Sequence, residues 1–312
     1  MNAIITSIAQ AGADVRVFEL KSADGTPLPA YAPGAHLDLT LGNGLVRQYS
    51  LCCRDPSPER YRIAVKRDPA SRGGSAWLHE HAEVGTMLEI GLPRNAFGLG
   101  QSNDPHLLLA GGIGITPLLS MAYALLRAGR EFHLASFARD QAALPLPDDL
   151  TSIALHARVS IHVGLDPHQT RSSLAQLMAG YPRAEVYTCG PAPFMDLVTE
   201  LGATRFGAQS LHQESFQAPL PASGDRPFRI RLKNGRELDV PVGRSALACL
   251  QEAGIDAPCS CEIGVCGTCR VAIVSGQARH HDSFLSDEEK ASGKWFLPCV
   301  SRATTEVLTL DL

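Results

Sequence analysis

The chain carries no strong charge of either sign. Its 312 residues hold 28 Lys and Arg against 32 Asp and Glu, a formal net charge of −4. That balance argues against bulk binding of nucleic acid or of an anionic membrane surface. The sequence has no low-complexity tract, no internal repeat, no helix-turn-helix pattern and no basic stripe. Nothing in it resembles a nucleophilic triad. Met1 to Gln10 lacks a basic n-region and a long apolar core, so no signal peptide is expected. One run without charge, Leu107–Leu126, is long enough to cross a bilayer, but its middle reads Gly111-Gly112-Ile113-Gly114-Ile115-Thr116-Pro117. Three glycines and a proline there fit a strand, a turn and a new helix better than one continuous span. At 45% hydrophobic and 19% charged the composition is globular, and the length suffices for two or three domains.

What the chain does have is cysteine. Cys261, Cys266 and Cys269 are followed, after 29 intervening residues, by Cys299. This C-x4-C-x2-C…C spacing is that of plant-type [2Fe–2S] ligation, in which four thiolates converge on two irons. Gly264 and Gly267 lie between the ligands and allow a tight loop whose N–H groups face the sulfurs. The alternatives are a zinc site, which usually takes two close ligand pairs, and scattered core thiols. Cys259 is out of register for ligation. Nine cysteines, five of them outside this set, argue for a reducing compartment and hence a cytoplasmic protein.

The first hundred residues read as all-β. Val15–Leu20, His36–Leu41 and Leu45–Leu51 alternate apolar and polar residues between Gly and Pro punctuation, which predicts a small antiparallel barrel. From about Pro105 short apolar runs at Leu107–Ala110, His133–Phe137, Ser160–Val163 and Glu185–Thr188 alternate with helical stretches, the pattern of a parallel sheet with crossover helices. The clearest of these helices is expected to start with Thr116 as N-cap and Pro117 at the first helical position, and to stop at Gly129. Residues 217–227 (QAPLPASGDRP) read as a linker. Beyond them, Phe228–Leu232 and Glu237–Val240 flank the hairpin turn Lys233-Asn234-Gly235, a helix runs through Ala246–Glu252, and Ser286–Glu289 has the capping-box pattern. The expected organisation is therefore 1–103, 104–216, a linker at 217–227, and 228–312.

Three further constellations carry chemistry. Gly111, Gly112 and Gly114, with Thr116 and Pro117, lie directly after a strand and before a helix, where a dinucleotide pyrophosphate can approach the backbone. In a doubly wound sheet the ligand sits beyond the carboxyl ends of the strands, and those ends carry Gly111, Ser136 to Asp140, Gly164 and Cys189-Gly190-Pro191. Asp140 can accept from ribose hydroxyls, favouring NADH; it can equally be a solvated loop charge, and Arg139 beside it could meet a 2′-phosphate. Cys189 is either a border of a nicotinamide site or a small buried hydrophobe. In the first domain, Arg47-Gln48-Tyr49-Ser50 and Arg72-Gly73-Gly74-Ser75 could together bind a phosphate and lay a planar ring against Tyr49; exposed turn residues are the alternative.

In this order, RQYS at 47–50, RGGS at 72–75, GGIGITP at 111–117, CGP at 189–191 and SCEIGVCGTC at 260–269 with Cys299 resemble the phthalate dioxygenase reductase family over essentially the whole chain. Within it the likeness is to vanillate O-demethylase reductases. The resemblance implies a multidomain fold: an antiparallel β-barrel flavin domain, a doubly wound α/β NAD domain and an α+β ferredoxin (β-grasp) domain. It implies FMN, NADH and a [2Fe–2S] cluster as cofactors. It also implies flavin contacts from Arg47, Gln48, Tyr49, Ser50, Ala64, Val65, Lys66 and the Arg72–Ser75 turn. Thr116 would approach the flavin from the NAD side, and Phe216 resembles the aromatic residue near the flavin in this family, or else is an apolar anchor for the linker. The implied function is that of a reductase handing electrons to a Rieske-type oxygenase, with a monomer sufficient. A redox sensor and a self-contained NADH-dependent reductase of a small acceptor are the other classes. From Arg226 onward eleven Lys and Arg face eleven Asp and Glu, so net charge does not identify the partner's surface.

Overall fold

The computed structural model describes residues 1–54, 59–69, 73–152, 154–217, 224–282 and 284–312. Arg72, and residues 218–223 of the expected linker, lie outside the described residues. The chain forms two compact units, Met1–Phe216 and Gln217–Leu312.

The first unit begins with β1 (Asn2–Gln10), β2 (Val15–Ser22), β3 (His36–Thr40), β4 (Val46–Ser50), β5 (Tyr61–Lys66), the short helix α1 (Gly74–Glu80) and β6 (Met87–Ile90). The six strands form one antiparallel sheet in the order β4-β3-β6-β1-β2-β5. Its two edges meet: Leu51 bridges Ile63, and the Cys52 N–H donates to the Arg62 carbonyl at 2.9 Å. Closure removes the exposed edges of an open sheet, and it encloses alternate residues of each strand, among them Ile5, Phe18, Leu20, Leu37, Leu39 and Ile63.

A parallel sheet follows, built from β7 (His106–Gly111), α2 (Ile115–Arg127), β8 (Phe132–Ala138), α3 (Pro147–Leu150), β9 (Val159–Val163), α4 (Pro167–Ala179), β10 (Glu185–Cys189), α5 (Ala192–Phe206) and β11 (Leu211–Glu214). The order is β11-β10-β7-β8-β9, all parallel. In β7 Leu108 and Ala110 face the cluster that contains α2, whereas Leu107 and Leu109 face α4 and α5. This is the period-two alternation of a strand covered on both faces. After β9 the chain crosses back to the other side of β7, so β7 and β10 flank the topological switch point.

α2 differs from the sequence expectation at its start. A 3-10 turn over Gly112–Gly114 runs straight into the helix, so Thr116 is not the N-cap but its second residue. Thr116 is 2% exposed, and its hydroxyl donates to the Ile113 carbonyl at 3.1 Å. Gly129, with φ 65°, ends the helix as expected.

The second unit holds β12 (Phe228–Arg231), β13 (Glu237–Val240), α6 (Ala246–Glu252), β14 (Val271–Ser275), β15 (Ala278–Arg279), α7 (Asp287–Ala291), β16 (Trp295–Phe296), β17 (Arg302–Ala303) and β18 (Val307–Leu310). Its main sheet runs β13-β12-β18-β14-β16, with β12 and β18 parallel, and α6 packs Leu247 and Leu250 into the core. Ser286 and Glu289 form the expected capping box of α7. Among the described residues no helix is long and apolar enough to cross a membrane.

Candidate functional site

The barrel's closing seam brings together most of the described residues read as flavin contacts. Pairing across the Leu51–Ile63 bridge sets Arg47–Ser50 of β4 beside Ala64–Lys66 of β5. Gly74 lies under Arg47: a Cβ there would stand 2.7 Å from Arg47 Cγ. Gly73 takes φ 93°, a left-handed conformation that favours glycine. The Ser75 hydroxyl accepts from the Asp68 N–H at 3.1 Å. Ser50, Ala64 and Val65 are buried, and Lys66 is exposed at the strand end. Burial holds the Tyr49 phenol above its ordinary range. Gln48 turns to the other side of β4 and donates to Asp38 Oδ1 at 2.9 Å, so its side-chain amide is engaged away from Arg47 and Tyr49.

The second site lies at the switch point. A Cβ on Gly111 would stand 2.9 Å from Pro191 Cδ, and one on Gly190 would stand 2.9 Å from Gly111 Cα. Two strand ends without side chains are thus pressed together where α2 begins, so that backbone rather than side chain faces the start of the helix. Such a place suits a pyrophosphate. Cys189 offers backbone rather than sulfur. Its side chain is fully buried, and burial pushes the thiol well above its ordinary range. Asp140 stands past the end of β8, 53% exposed in its side chain, accepting from the Ala143 N–H at 2.8 Å and pairing with Arg139 at 3.4 Å. Phe216 ends this unit and is 38% exposed.

Glu214 was not expected. It closes β11 opposite Cys189 in the parallel register. Among the described residues its Oε2 is buried without a hydrogen-bond partner, and burial lifts the carboxyl to about 8. A buried carboxyl without a partner at a strand end is uncommon, and such groups gather at functional sites.

The third site is in the second unit. None of the nine cysteines is in a disulfide. Cys269 and Cys299 have sulfurs 3.3 Å apart, and Cys261 and Cys266 form a second hydrogen-bonded pair. Backbone N–H groups aim at the sulfurs: Ile263 at Cys261 and Thr268 at Cys266, each at 3.4 Å. The hydrogen bonds from Cys261 and Thr268 pull the Cys266 thiol down to about 5. Among the described residues no three His, Cys, Asp or Glu side chains converge on a single-ion position. Two thiol pairs with N–H donors fit two metal atoms, each held by one pair, better than one zinc ion. Gly264 and Gly267 adopt φ 81° and 72°, and a Cβ on Gly267 would lie 2.2 Å from the Phe284 ring. Cys259 stays outside the set and accepts from Gln251 Nε2 at 3.2 Å.

Residues 230–304 match the family model of a 2Fe-2S iron-sulfur cluster binding domain. The vanillate O-demethylase oxidoreductase of Acinetobacter baylyi is 40% identical over 319 residues, spanning 100% of this chain and 99% of its own. Oxidoreductase NdmD of Pseudomonas putida is 40% identical over 99% of this chain, which spans only 53% of that longer protein. The solved phthalate dioxygenase reductase, a modular structure for electron transfer from pyridine nucleotides to [2Fe-2S], superposes with a TM-score of 0.77 at 39% identity, covering 100% of this chain and 98% of that one. With its barrel, doubly wound sheet and cluster-binding unit in the same order, the chain is an oxidoreductase that belongs to the phthalate dioxygenase reductase family.

Proposed function

We propose that the chain is the reductase component of a Rieske-type oxygenase system, drawing electrons from NADH through FMN and a [2Fe–2S] cluster and passing them to a partner oxygenase. A vanillate O-demethylase-like partner is the first candidate. One observation carries the reading: a glycine turn pressed against Gly190-Pro191 at the start of a helix and a doubly paired thiol loop occur in one chain. When bound, the flavin takes up two electrons together and gives them out singly, which the cluster can accept.

The residues do the placing. Arg47 and the Gly73–Ser75 turn hold the flavin phosphate end, with Arg72 as a further cation, and Tyr49, Ser50 and the Ala64–Lys66 strand line the ring. Gly111, Gly112, Gly114 and Gly190-Pro191 let the dinucleotide reach the backbone, and Thr116, Cys189 and Phe216 shape its reactive end. Asp140 selects the ribose hydroxyls of NADH. Cys261, Cys266, Cys269 and Cys299 hold the irons, and backbone N–H groups stabilise charge on the sulfurs. The work divides among a flavin segment at 1–103, a dinucleotide segment at 104–216, a linker at 217–227 and a ferredoxin segment at 228–312. No general acid or base is needed, since hydride and electron transfer depend on distance and orientation.

The test is an anaerobic titration of the full chain with NADH, followed by visible absorption. Flavin bands and iron–sulfur shoulders should both bleach, and addition of an oxidised Rieske oxygenase should restore them. Bleaching that only small free acceptors reverse would identify a self-contained reductase instead.

A further inference from the structure

Arg62 and Asp149 lie 87 residues apart and form a two-pronged ion pair. Arg62 Nη1 donates to Asp149 Oδ1 at 3.1 Å and Nη2 to Oδ2 at 2.8 Å. The Tyr123 hydroxyl donates to the same Oδ1 at 3.0 Å. Burial, with the Asp149 anion, raises Tyr123 to about 12, so it remains a phenol and a donor. The Arg54 guanidinium covers the Tyr123 ring, 5.2 Å from its centroid. The pair is mostly shielded, with side chains 23% and 16% exposed. It lines a cavity of about 410 Å³ that also includes Cys53, Glu19 and Arg60.

These residues come from three elements with a common destination. Arg62 belongs to β5, two residues before the Ala64–Lys66 stretch assigned to the flavin ring. Tyr123 belongs to α2, the helix that starts at the Gly111–Gly114 turn, and Asp149 to α3. Adhesion between barrel and parallel sheet has another source: Val15, Val17, Ala64 and Phe97 share one apolar cluster with Leu118, Met121 and Leu125. Apolar contact is non-directional, so the angle between the two parts falls to the directional contacts, which are single hydrogen bonds such as the Ala13 N–H to the Ala142 carbonyl at 2.8 Å and this side-chain group. A forked guanidinium–carboxylate pair is directional. Its attraction is largely offset by desolvation, which makes orientation its main contribution.

Resting on the reductase reading above, we propose that Arg62, Asp149 and Tyr123 are positioning residues that set the barrel against the dinucleotide sheet, and so the alignment of nicotinamide with flavin. None of the three is among the residues assigned above to the flavin or the dinucleotide. Near-attack geometry is steep in distance, and a shift of about 1 Å can cost about a hundredfold in rate.

The experiment compares the full cofactor-loaded chain with the double variant Arg62→Met, Asp149→Leu, which replaces the pair by apolar side chains. Reduction of the wild-type flavin by NADH is established first; its failure would refute the reductase reading and not this one. The expected result is a thermal midpoint close to wild type, retained flavin, NADH affinity within about threefold, and flavin reduction at saturating NADH slowed at least about tenfold. Hydrogen exchange supplies a readout apart from activity. Among the described residues, amides that cross between barrel and sheet include Ala13 (to the Ala142 carbonyl, 2.8 Å), Leu146 (to the Ala11 carbonyl, 3.0 Å), Gly34 (to Ser120 Oγ, 3.0 Å) and Gly100 (to Tyr187 Oη, 2.8 Å). They should exchange faster in the variant, while barrel amides such as Leu20 do not. Unchanged exchange and unchanged reduction rate would overturn the proposal. If the double variant does not fold, Asp149→Asn and Tyr123→Phe decide: slower flavin reduction at an unshifted midpoint supports the proposal, and wild-type rates overturn it.

Discussion

Gly114 and Cys189 meet backbone to backbone: a Cβ on Gly114 would stand 2.1 Å from the Cys189 carbonyl oxygen. That oxygen cannot rotate away like a side chain, because Cys189 ends a strand paired on both sides. Gly114→Ala must therefore push the two turns apart. The expected outcome is an overpacking loss of about 1–3 kcal/mol in stability and weakened NADH binding with the flavin retained, read by thermal unfolding and NADH titration. Gly112 is the control. A Cβ there meets nothing within 4 Å among the described residues, so in stability Gly112→Ala should cost only the left-handed strain of φ 53°, about 1–2 kcal/mol, and any loss of NADH binding would come from the new methyl facing the nucleotide.

The raised carboxyl of Glu214 makes stability depend on pH. Its pKa goes from 4.5 in the ordinary state to about 8 in the fold, because burial disfavours the anion. Between those values the folded chain keeps a proton that the unfolded chain has released. Stability from this group is therefore complete below about 4.5 and declines as pH rises to about 8, at up to about 1.4 kcal/mol per pH unit. Glu214→Gln should remove that slope. Melting both proteins from pH 5 to 8 should show the variant gaining on wild type as pH rises, and a constant difference would contradict the burial argument.

The thiol pairs predict which cysteines matter. Cys261→Ser or Cys299→Ser breaks one pair and should reduce bound iron well below two per chain and remove the iron–sulfur shoulders, while NADH still bleaches the flavin. Cys259→Ser should keep two irons, since that thiol is engaged with Gln251 outside both pairs. Iron analysis and visible spectra of the three variants separate the cases. Gly267→Ala should cost less than a ligand loss, because the Phe284 ring its Cβ would strike is an exposed side chain able to turn aside, which leaves mainly the left-handed strain of φ 72°.

Local chemistry is what a sequence displays, and this chain shows why. The cysteine spacing and the Gly-Gly-x-Gly turn lie within a few residues, so their purpose is legible before any fold is known. β1 was hidden because a bulge between Ile5 and Ser7 breaks the period of two. β11 was hidden because Leu211 is the one apolar residue in Leu-His-Gln-Glu, which leaves no alternation to read. With β11 went Glu214, whose importance depends wholly on burial. Thr116 looked like an N-cap because Thr-Pro commonly opens a helix; the preceding 3-10 turn had already satisfied that role. The pairing of Arg62 with Asp149 spans 87 residues and has no local trace at all.

Asp140 offers the sharpest question about the nucleotide. It lies beyond the end of β8, where the proposed function puts the ribose, and the Ala143 N–H together with Arg139 holds its carboxyl below the usual range, so it is an anion at any working pH. A 2′-phosphate at that place would face this anion, which disfavours NADPH. Asp140→Ser removes the charge while keeping a hydroxyl able to accept from Ala143, and it leaves Arg139 free to pair with a phosphate. The expected change is a gain of up to about fivefold in kcat/KM with NADPH, the weight of one exposed charge interaction, with a modest loss for NADH. Steady-state rates with both nucleotides, at low and at high salt, check it. The gain should shrink as salt rises, because screening weakens the attraction that Arg139 supplies. A ratio that salt does not move would mean that shape at the strand end, rather than charge, makes the choice.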